Sequence, residues 1–265
     1  MTAPALSIRN LTVYVQEDGR ERVVVDRISF DLAPGEVLAL VGESGCGKSK
    51  TAEAIMGLVP QTSGRVSADA IALGDLDLAA LEESALRQVR GHEISMVFQE
   101  PLTALDPVFK NGYQLATQYR RHRGQSRSQS LASAREILGR VGFADPGRIM
   151  QSYPHQLSGG MRQRLIIAMA MACKPSVLIA DEPTTALDVT TQAQVLAQML
   201  QMSGEAGTAI LLITHDLGIV AQYCDRALVM HQGRLVENAA VPSLFASPEK
   251  EYTRTLISSA REMSL

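Results

Sequence analysis

The sequence predicts an α/β fold with three parts: a core around a parallel sheet, an N-terminal antiparallel β subdomain and an inserted α-helical subdomain. Three brief runs, EVLALVG, SVLIADEP and AILLITHD, are apolar and end in polar clusters, which is typical of parallel strands covered on both faces. Antiparallel strand patterns precede the first run, and helical spacing dominates much of the stretch before the second. Because parallel strands end at one edge, we expect their polar clusters to form one active edge.

The first part of the chain has strand patterns. The segments LTVYV and ISFDL read as short strands, and APGE, between ISFDL and VLALV, supplies Pro-Gly turn chemistry for a hairpin. We therefore expect antiparallel β structure at the start of a single domain, in which residues 1–100 and 174–240 form the α/β core.

The helical subdomain is predicted over residues 101–173, from Pro101 to Cys173. Apolar residues recur at helical spacing in NGYQLATQYRRH, SLASAREILGRVG and GGMRQRLIIAMAMAC. The basic, Ser-rich piece RRHRGQSRSQS, from Arg120 to Ser130, is interpreted as a solvated connector.

The C-terminal part predicts a hairpin and two helices. RALVMHQGRLVE is typical of a hairpin that turns at His231, Gln232 and Gly233. Residues 241–265 form the predicted tail, which contains two short helices.

The composition favours a globular protein and argues against several function classes. The chain is 46% hydrophobic and 20% charged with a net charge of −3, which makes nucleic acid an unlikely partner. The longest apolar runs fall short of the roughly 20 residues that cross a bilayer. The N-terminus lacks a secretory pattern, so we expect a cytoplasmic chain. Three dispersed cysteines, Cys46, Cys173 and Cys224, suggest small buried side chains, neither a disulfide frame nor a zinc site.

The segment GESGCGKS fits the phosphate-binding pattern G-x-x-x-x-G-K-[ST], and it lies between a predicted buried strand and a predicted helix. Glycine turns let backbone N–H groups point at phosphate oxygens, and the helix adds its positive end. Lys48 would reach the outer phosphates, and Ser49 would offer its hydroxyl to Mg²⁺. The predicted nucleotide-binding residues of this P-loop NTPase core are Gly42, Glu43, Ser44, Gly45, Cys46, Gly47, Lys48, Ser49 and Lys50.

Two carboxylates follow the second aliphatic run, in VLIADEP. Asp181 can hold Mg²⁺ through water, and Glu182 can orient an attacking water. Glu182 should be ionised near pH 7, since the reference pKa of Glu is about 4.3. The alternative is a helix cap, because Pro183 follows and Thr184 is a good N-cap residue. The upstream phosphate loop favours the catalytic interpretation.

A second anion-binding pattern occurs in QLSGGMRQR. Ser158, Gly159 and Gly160 open an apolar helix and present N–H groups and a helix dipole, but no lysine. One nucleotide does not need two such sites in one chain. We therefore predict that these residues close over the γ-phosphate bound by a partner subunit.

The motifs GESGCGKS, LSGGMRQR, LIADEP, TALD and LLITHD, in that order, resemble those of the nucleotide-binding subunit of an ATP-binding cassette (ABC) transporter. The resemblance covers nearly the whole chain. It implies ATP and Mg²⁺ as cofactors and a head-to-tail dimer with two ATPs sandwiched at its interface. ATP binding would close this dimer, and hydrolysis would reopen it.

The resemblance also assigns residues outside the two glycine-rich segments. Gln99 in MVFQEP matches the glutamine that touches Mg²⁺ and senses the membrane partner. Asp188 in TALD matches the loop that links the two sites, and His215 in LLITHD matches the histidine that contacts the γ-phosphate. The remaining histidines are interpreted as ordinary core or surface residues: His92, His122, His155 and His231.

Two positions depart from the family pattern. Relatives place an aromatic residue, which stacks on adenine, where this chain has Val15; Tyr14 is one residue early and should point to the opposite face. This departure argues against stacking on the base. Lys50 follows the Ser49 ligand where relatives often have a smaller or apolar residue, and nothing in the sequence explains it.

Finer features resemble one branch of the family. MVFQEPLTALDPV, HQLSGGMRQR and IADEPTTALDVTTQAQVL are similar to ATPases that drive import of dipeptides, oligopeptides and nickel. SPEKEYT is similar to that branch's tail motif, with Lys250 and Glu251 in place of His-Pro. Peptide-importing relatives often continue with a cysteine-bearing extension, so the shorter tail here slightly favours the nickel or metal-chelate type.

This resemblance implies a set of partners on the cytoplasmic face of the inner membrane. They are two transmembrane permease subunits, an extracytoplasmic substrate-binding protein, and a second ATPase subunit, identical or related. A short helix of each permease would dock in a groove beside Gln99, formed largely by the helical subdomain. Cargo would never touch the ATPase, so the sequence leaves its identity open.

Three alternatives remain. A soluble ABC ATPase that acts on DNA or ribosomes is disfavoured, because coiled-coil insertions, zinc cysteines and a second cassette do not occur in this sequence. An accessory ATPase of a phosphonate-breakdown complex shares the signature and the tail, and neighbouring genes would distinguish it. An exporter is disfavoured, because exporter ATPases are often fused to membrane helices.

Overall fold

A computed structural model describes residues 3–17, 19–99, 104–184 and 187–262. The chain divides into two compact units: the first contains the residues up to Leu86 and those from Ala209 onward, and the second is Arg87–Thr208. Pro101, the predicted start of the helical subdomain, lies outside the described residues, as do the first two residues of TALD. The described elements confirm the predicted α/β fold, with an antiparallel N-terminal sheet and a set of helices.

The strands are β1 (Leu6–Glu17), β2 (Arg20–Leu32), β3 (Val37–Val41), β4 (Gly64–Ser67), β5 (Ala70–Leu73), β6 (Leu76–Asp77), β7 (Ile94–Val97), β8 (Val177–Asp181), β9 (Ala209–Ile213), β10 (Arg226–His231) and β11 (Arg234–Ala240). The helices are α1 (Lys48–Ile55), α2 (Glu83–Val89), α3 (Asn111–Arg123), α4 (Arg127–Arg140), α5 (Pro146–Gln151), α6 (Gly159–Met171), α7 (Val189–Ala206), α8 (Leu217–Tyr223), α9 (Val241–Ala246) and α10 (Glu251–Glu262).

The predicted hairpin at APGE is wrong. β2 pairs antiparallel with β1, whereas β3 pairs in parallel with β9 and β10. Burial explains the difference, because the end of β2 alternates between buried and exposed residues whereas Leu38 to Val41 are all fully buried. An alternating strand fits a sheet with one solvated face, and a continuously buried strand fits a parallel sheet. The Pro-Gly turn therefore carries the chain from one sheet to another.

The predicted hairpin of the C-terminal part is confirmed in the first unit. β10 and β11 form an antiparallel hairpin, and His231 pairs with Arg234 across its turn. Gln232 and Gly233 at this turn have φ angles of 46° and 82°, the left-handed values that a tight hairpin turn requires. In the second unit, β7 and β8 form a parallel pair, with Val97 opposite Ala180.

The helices predicted in the insertion are confirmed as α3, α4 and α6 of the second unit. The basic segment expected to be a connector instead contains the end of α3 and the start of α4. Gly124 ends α3 in a left-handed conformation, and Ser126 begins α4 by a capping box with Gln129. Local capping chemistry therefore shortens the connector to a few residues.

The two predicted tail helices, α9 and α10, pack within the first unit. Val241, Leu244 and Ile257 lie in one buried cluster with Val41 of β3 and Val220 of α8. Glu237 of β11 is also buried, and its two carboxylate oxygens accept hydrogen bonds from the backbone N–H groups of Glu249 (2.9 Å) and Lys250 (3.1 Å), which precede α10.

We expect Glu237→Gln to destabilise the protein by about 1–2 kcal/mol at pH 7, because charged hydrogen bonds to the start of α10 are weakened. Burial acts to raise the pKa of Glu237, but the hydrogen bonds and the Lys250 charge outweigh it, so the folded-state pKa lies below the usual range. The contribution is therefore fully present above about pH 4.3, the reference pKa, and is lost as the pH falls through the lower folded-state pKa.

Thermal unfolding of both proteins between pH 7 and pH 3.5 measures this difference. The gap between parent and variant should be constant near neutrality and should shrink in acid. Glu249→Gln is the matched control, because Glu249 is exposed and contributes only its backbone N–H to the contact. Equal effects of the two substitutions would contradict the role of the Glu237 carboxylate.

Candidate functional site

The phosphate loop connects β3 to α1 in the first unit, as the motif predicts. Gly42 and Gly47 have φ angles of 154° and 112°, which side chains rarely adopt. A Cβ atom at Gly42 would collide with the Met230 carbonyl, and one at Gly47 would lie 2.6 Å from the carbonyl oxygen of Val24. Both glycines are therefore required for the backbone of the loop to lie this close to its neighbours.

Lys48 and the start of α1 give this loop its positive charge. The Lys48 side chain is buried, and its ammonium donates hydrogen bonds to the carbonyl oxygens of Gly42 and Glu43, both at 2.8 Å. Gly47 is the N-cap residue of α1 and has no side chain to cap it. Because the first N–H groups of a helix lack intrahelical partners, they are suited to an anion.

Lys50 and Cys46, two residues of the predicted binding segment, have different surroundings in the structure. The Lys50 ammonium lies 2.6 Å from a carboxylate oxygen of Glu53, one turn along α1. Cys46 is buried within the loop, and burial raises the pKa of its thiol. Cys173 is buried as expected, whereas Cys224 is half-buried.

His215 lies just beyond the end of β9 and is exposed. The next residue, Asp216, caps α8, and one of its carboxylate oxygens accepts hydrogen bonds from the N–H groups of Gly218 (2.8 Å) and Ile219 (3.2 Å). The strand end and this cap fix the backbone on both sides of His215.

Tyr14, the aromatic residue beside the predicted base-stacking position, has a different partner. The Arg65 guanidinium lies over its ring, 3.8 Å from the centroid, and also pairs with Glu21. One face of the Tyr14 ring is therefore covered by Arg65.

Gln99, Asp181 and Glu182 form a group in the second unit. Asp181 is the last residue of β8 and is buried, and Glu182 follows it. The amide nitrogen of Gln99 donates a hydrogen bond to a carboxylate oxygen of Glu182 at 3.2 Å. The parallel register of β7 and β8 explains this contact, because it places the carboxyl ends of the two strands side by side.

Glu182 has an unusual backbone. Its φ angle is 45°, which is uncommon for a residue with a side chain. Such strain often marks a functional position. The helix that follows is capped by Asp188, so the alternative role of Thr184 as its N-cap residue is wrong.

Ser158, Gly159, Gly160 and Asp188 also lie in the second unit, at the starts of α6 and α7. Ser158 is the N-cap residue of α6, and Asp188 caps α7 by accepting the Thr191 N–H at 2.9 Å. Hydrogen bonds from Thr191 lower the pKa of Asp188. A Cβ atom on Gly160 would lie 2.7 Å from the Thr191 methyl group, so the two helix starts are close together.

Ser158 and Gly159 are exposed. The N-terminus of α6, a helix of 13 residues, is therefore accessible to an anion bound by another molecule.

Sequence reasoning missed one contact of the phosphate loop. The Glu43 N–H donates to the phenol oxygen of Tyr252 on α10 at 3.4 Å, and His231 packs against the same ring. The available signal was SPEKEYT, the tail motif that contains Tyr252.

Within the described ranges, no helix is long and apolar enough to span a bilayer. In the same part of the chain, no group of three or more His, Cys, Asp or Glu residues is arranged to hold a metal ion.

Comparisons with known proteins agree on one family. Residues 25–185 match the family described as ABC transporter. A peptide import ATP-binding protein of Brucella melitensis is 48% identical over 261 residues, which is 97% of this chain and 77% of that protein. The dipeptide transport ATP-binding protein DppD of Bacillus subtilis is 45% identical over 260 residues, which is 98% of this chain and 78% of that protein.

A similar solved structure is an ATP-binding cassette dimer in a post-hydrolysis state, bound to ADP and Pi. It is 25% identical with a TM-score of 0.76 and covers 89% of this chain and 98% of its own.

Proposed function

The chain belongs to the ABC transporter family, and we propose that it is the ATP-hydrolysing subunit of an importer that takes up peptides. The hydrogen bond between Gln99 and Glu182 at the end of β8 is the observation that carries the catalytic part of this proposal. The cargo is proposed because the relatives from Brucella melitensis and Bacillus subtilis are named for peptide and dipeptide transport.

The phosphate loop binds the triphosphate in this proposal. Lys48 neutralises the outer phosphates, and the N–H groups of the loop and of the start of α1 contact their oxygens. The binding segment runs from Gly42 to Lys50; Lys50 contributes its backbone, because its side chain is paired with Glu53. The carbonyl oxygens of Gly42 and Glu43 hold the Lys48 ammonium at the loop.

The proposed Mg²⁺ ligands are Ser49, Asp181 and Gln99. Their hydroxyl, carboxylate and amide oxygens are the donors that Mg²⁺ prefers, and Mg²⁺ is usually held by few protein groups together with substrate phosphates. When bound, Mg²⁺ would neutralise charge on the β- and γ-phosphates.

Glu182 orients the attacking water. As a carboxylate it accepts a hydrogen bond from that water, and Gln99 fixes its side chain by donating to it. His215 contacts the γ-phosphate from the end of β9. In this proposal Lys48, Glu182 and His215 are in position before the reaction begins, and such preorganised groups accelerate phosphoryl transfer.

We propose a head-to-tail dimer in which Ser158, Gly159 and Gly160 close over the nucleotide of a partner subunit. The exposed start of α6 and the dimeric, nucleotide-bound solved relative support this arrangement. Asp188 at the start of α7 lies near Gly160 through Thr191 and links the two sites. The partner is a second ATPase subunit, identical or related.

The importer contains two transmembrane permease subunits and an extracytoplasmic substrate-binding protein. The chain sits as a peripheral subunit on the cytoplasmic face of the membrane, where a helix of each permease docks beside Gln99 and transmits closure of the dimer.

Growth of a deletion strain tests the cargo. The strain should fail to grow on di- or oligopeptides as sole nitrogen source and should recover with the intact gene but not with Glu182→Gln. Growth on free amino acids is the control. Normal growth on peptides, with failure only when nickel is limiting, would show that the cargo is a nickel chelate and not a peptide. The absence of any transport defect would overturn the importer assignment.

A further inference from the structure

The C-terminal segments of the first unit hold the phosphate loop in place from outside. The hairpin turn between β10 and β11 donates the Gly233 N–H to the carbonyl oxygen of Cys46 at 3.0 Å. The Met230 carbonyl packs so closely on Gly42 that no side chain would fit there. Gly233 in turn accepts the N–H of Asp26 at 2.8 Å. The loop is therefore fixed to this hairpin near both of its ends.

Tyr252 of α10 adds a third attachment. Its phenol oxygen accepts the Glu43 N–H at 3.4 Å, one residue after Gly42. Its ring lies 3.9 Å from the His231 ring, centroid to centroid, with an angle of 34° between the planes. His231 is the last residue of β10, so a single side chain connects the tail helix, the hairpin and the phosphate loop.

The helix that carries Tyr252 is itself well anchored. Ile257 and Leu256 of α10 pack on the buried cluster that contains Val41, the residue just before the loop. Glu237 fixes the start of the helix through the N–H groups of Glu249 and Lys250. Tyr252 is therefore presented from a fixed support, which a mobile tail could not provide.

We propose that Tyr252 is a positioning residue for ATP, acting through the backbone of Glu43. This inference rests on the proposed function of the loop as the ATP site. A loop whose N–H groups are aligned before binding loses less entropy when the phosphates arrive. Tyr252 fixes the direction of the peptide group between Gly42 and Glu43. The carbonyl oxygen of that group, from Gly42, accepts a hydrogen bond from the Lys48 ammonium, as does the carbonyl oxygen of Glu43 in the next peptide group. Removing the phenol oxygen of Tyr252 therefore loosens both the loop and the lysine.

Tyr252→Phe is the principal test, because it removes the phenol oxygen and keeps the ring on His231. We expect the ATP dissociation constant and KM to rise by about threefold to tenfold, the effect of losing one hydrogen bond, while kcat changes by less than about twofold. Backbone amides from Gly42 to Gly47 should exchange with deuterium faster in the absence of nucleotide. The matched control is Tyr223→Phe in α8, which should change neither quantity.

His231→Ala gives a second, independent variant. If Tyr252 and His231 act together, His231→Ala should weaken ATP binding less in the Tyr252→Phe background than alone. Unchanged exchange in Tyr252→Phe, or faster exchange with unchanged ATP affinity, would overturn the proposal. Failure of the parent protein to bind ATP would instead refute the proposed function, and the exchange measurement would still decide whether Tyr252 fixes the loop.

Discussion

Lys48→Ala should abolish ATP binding at concentrations where the parent protein is saturated. The Lys48 side chain is buried, and its ammonium bridges the carbonyl oxygens of Gly42 and Glu43. Lys48 therefore both fixes the backbone of the loop and supplies its positive charge. Hydrogen bonds to charged groups contribute about 1.5–3 kcal/mol each, and several are lost together. The dissociation constant should therefore rise by at least about 100-fold.

Calorimetry with ATP and Mg²⁺ measures this loss, and thermal unfolding without nucleotide checks that the variant is folded. Lys110→Ala is a control of equal charge change, because Lys110 is exposed and its ammonium contacts Gln151 in the second unit. Undiminished ATP binding by Lys48→Ala, with Lys110→Ala also normal, would remove the phosphate loop from the nucleotide site.

Local patterns predicted the strand, glycine turn and helix around Gly42–Ser49 correctly, because everything that defines this arrangement lies within a few residues. The strand β3, the turn with Gly42 and Gly47, and the helix α1 follow one another without interruption. Helices α3 and α4 were equally local, since periodicity alone identifies a helix with one buried side.

The features that sequence reasoning missed depend on contacts between distant segments. APGE has the composition of a hairpin turn, but the pairing of β2 with β1 and of β3 with β9 decides which sheet each strand joins. The hydrogen bond from Gln99 to Glu182 spans 83 residues, and that from Glu43 to Tyr252 spans 209. The motifs MVFQEP, LIADEP and SPEKEYT single out Gln99, Glu182 and Tyr252, but a local pattern does not show which distant residue each one contacts.

The competing structural and functional interpretations of several motif residues are compatible. Ser158 and Asp188 cap α6 and α7, and Asp216, next to His215, caps α8. A cap fixes the first turn of a helix, which is where backbone N–H groups can bind an anion. Capping therefore positions the motif backbone, and it does not count against a role in nucleotide binding.

Glu182→Gln should stop ATP turnover while leaving ATP binding intact. The amide has nearly the same shape as the carboxylate, so the φ angle of 45° and the position beside Gln99 should be retained. What is lost is the negative charge that orients and activates water. Groups that act as a general base contribute about 10²–10⁴-fold to rate, and we expect phosphate release to fall by that factor.

The ATP dissociation constant of this variant should stay within about threefold of the parent value, since no phosphate ligand is removed. Because hydrolysis reopens the dimer in the proposed cycle, the variant should also accumulate as an ATP-bound dimer in gel filtration. Glu205→Gln is the matched control: Glu205 pairs with Arg140 at the surface of the second unit, and its loss should leave turnover unchanged. Persistent hydrolysis near the parent rate in Glu182→Gln would show that another group activates the water. A substitution that removes an interaction made only in the transition state lowers kcat and leaves ATP binding unchanged. A loss of ATP binding in Glu182→Gln would therefore show that Glu182 already contacts the nucleotide before the chemical step.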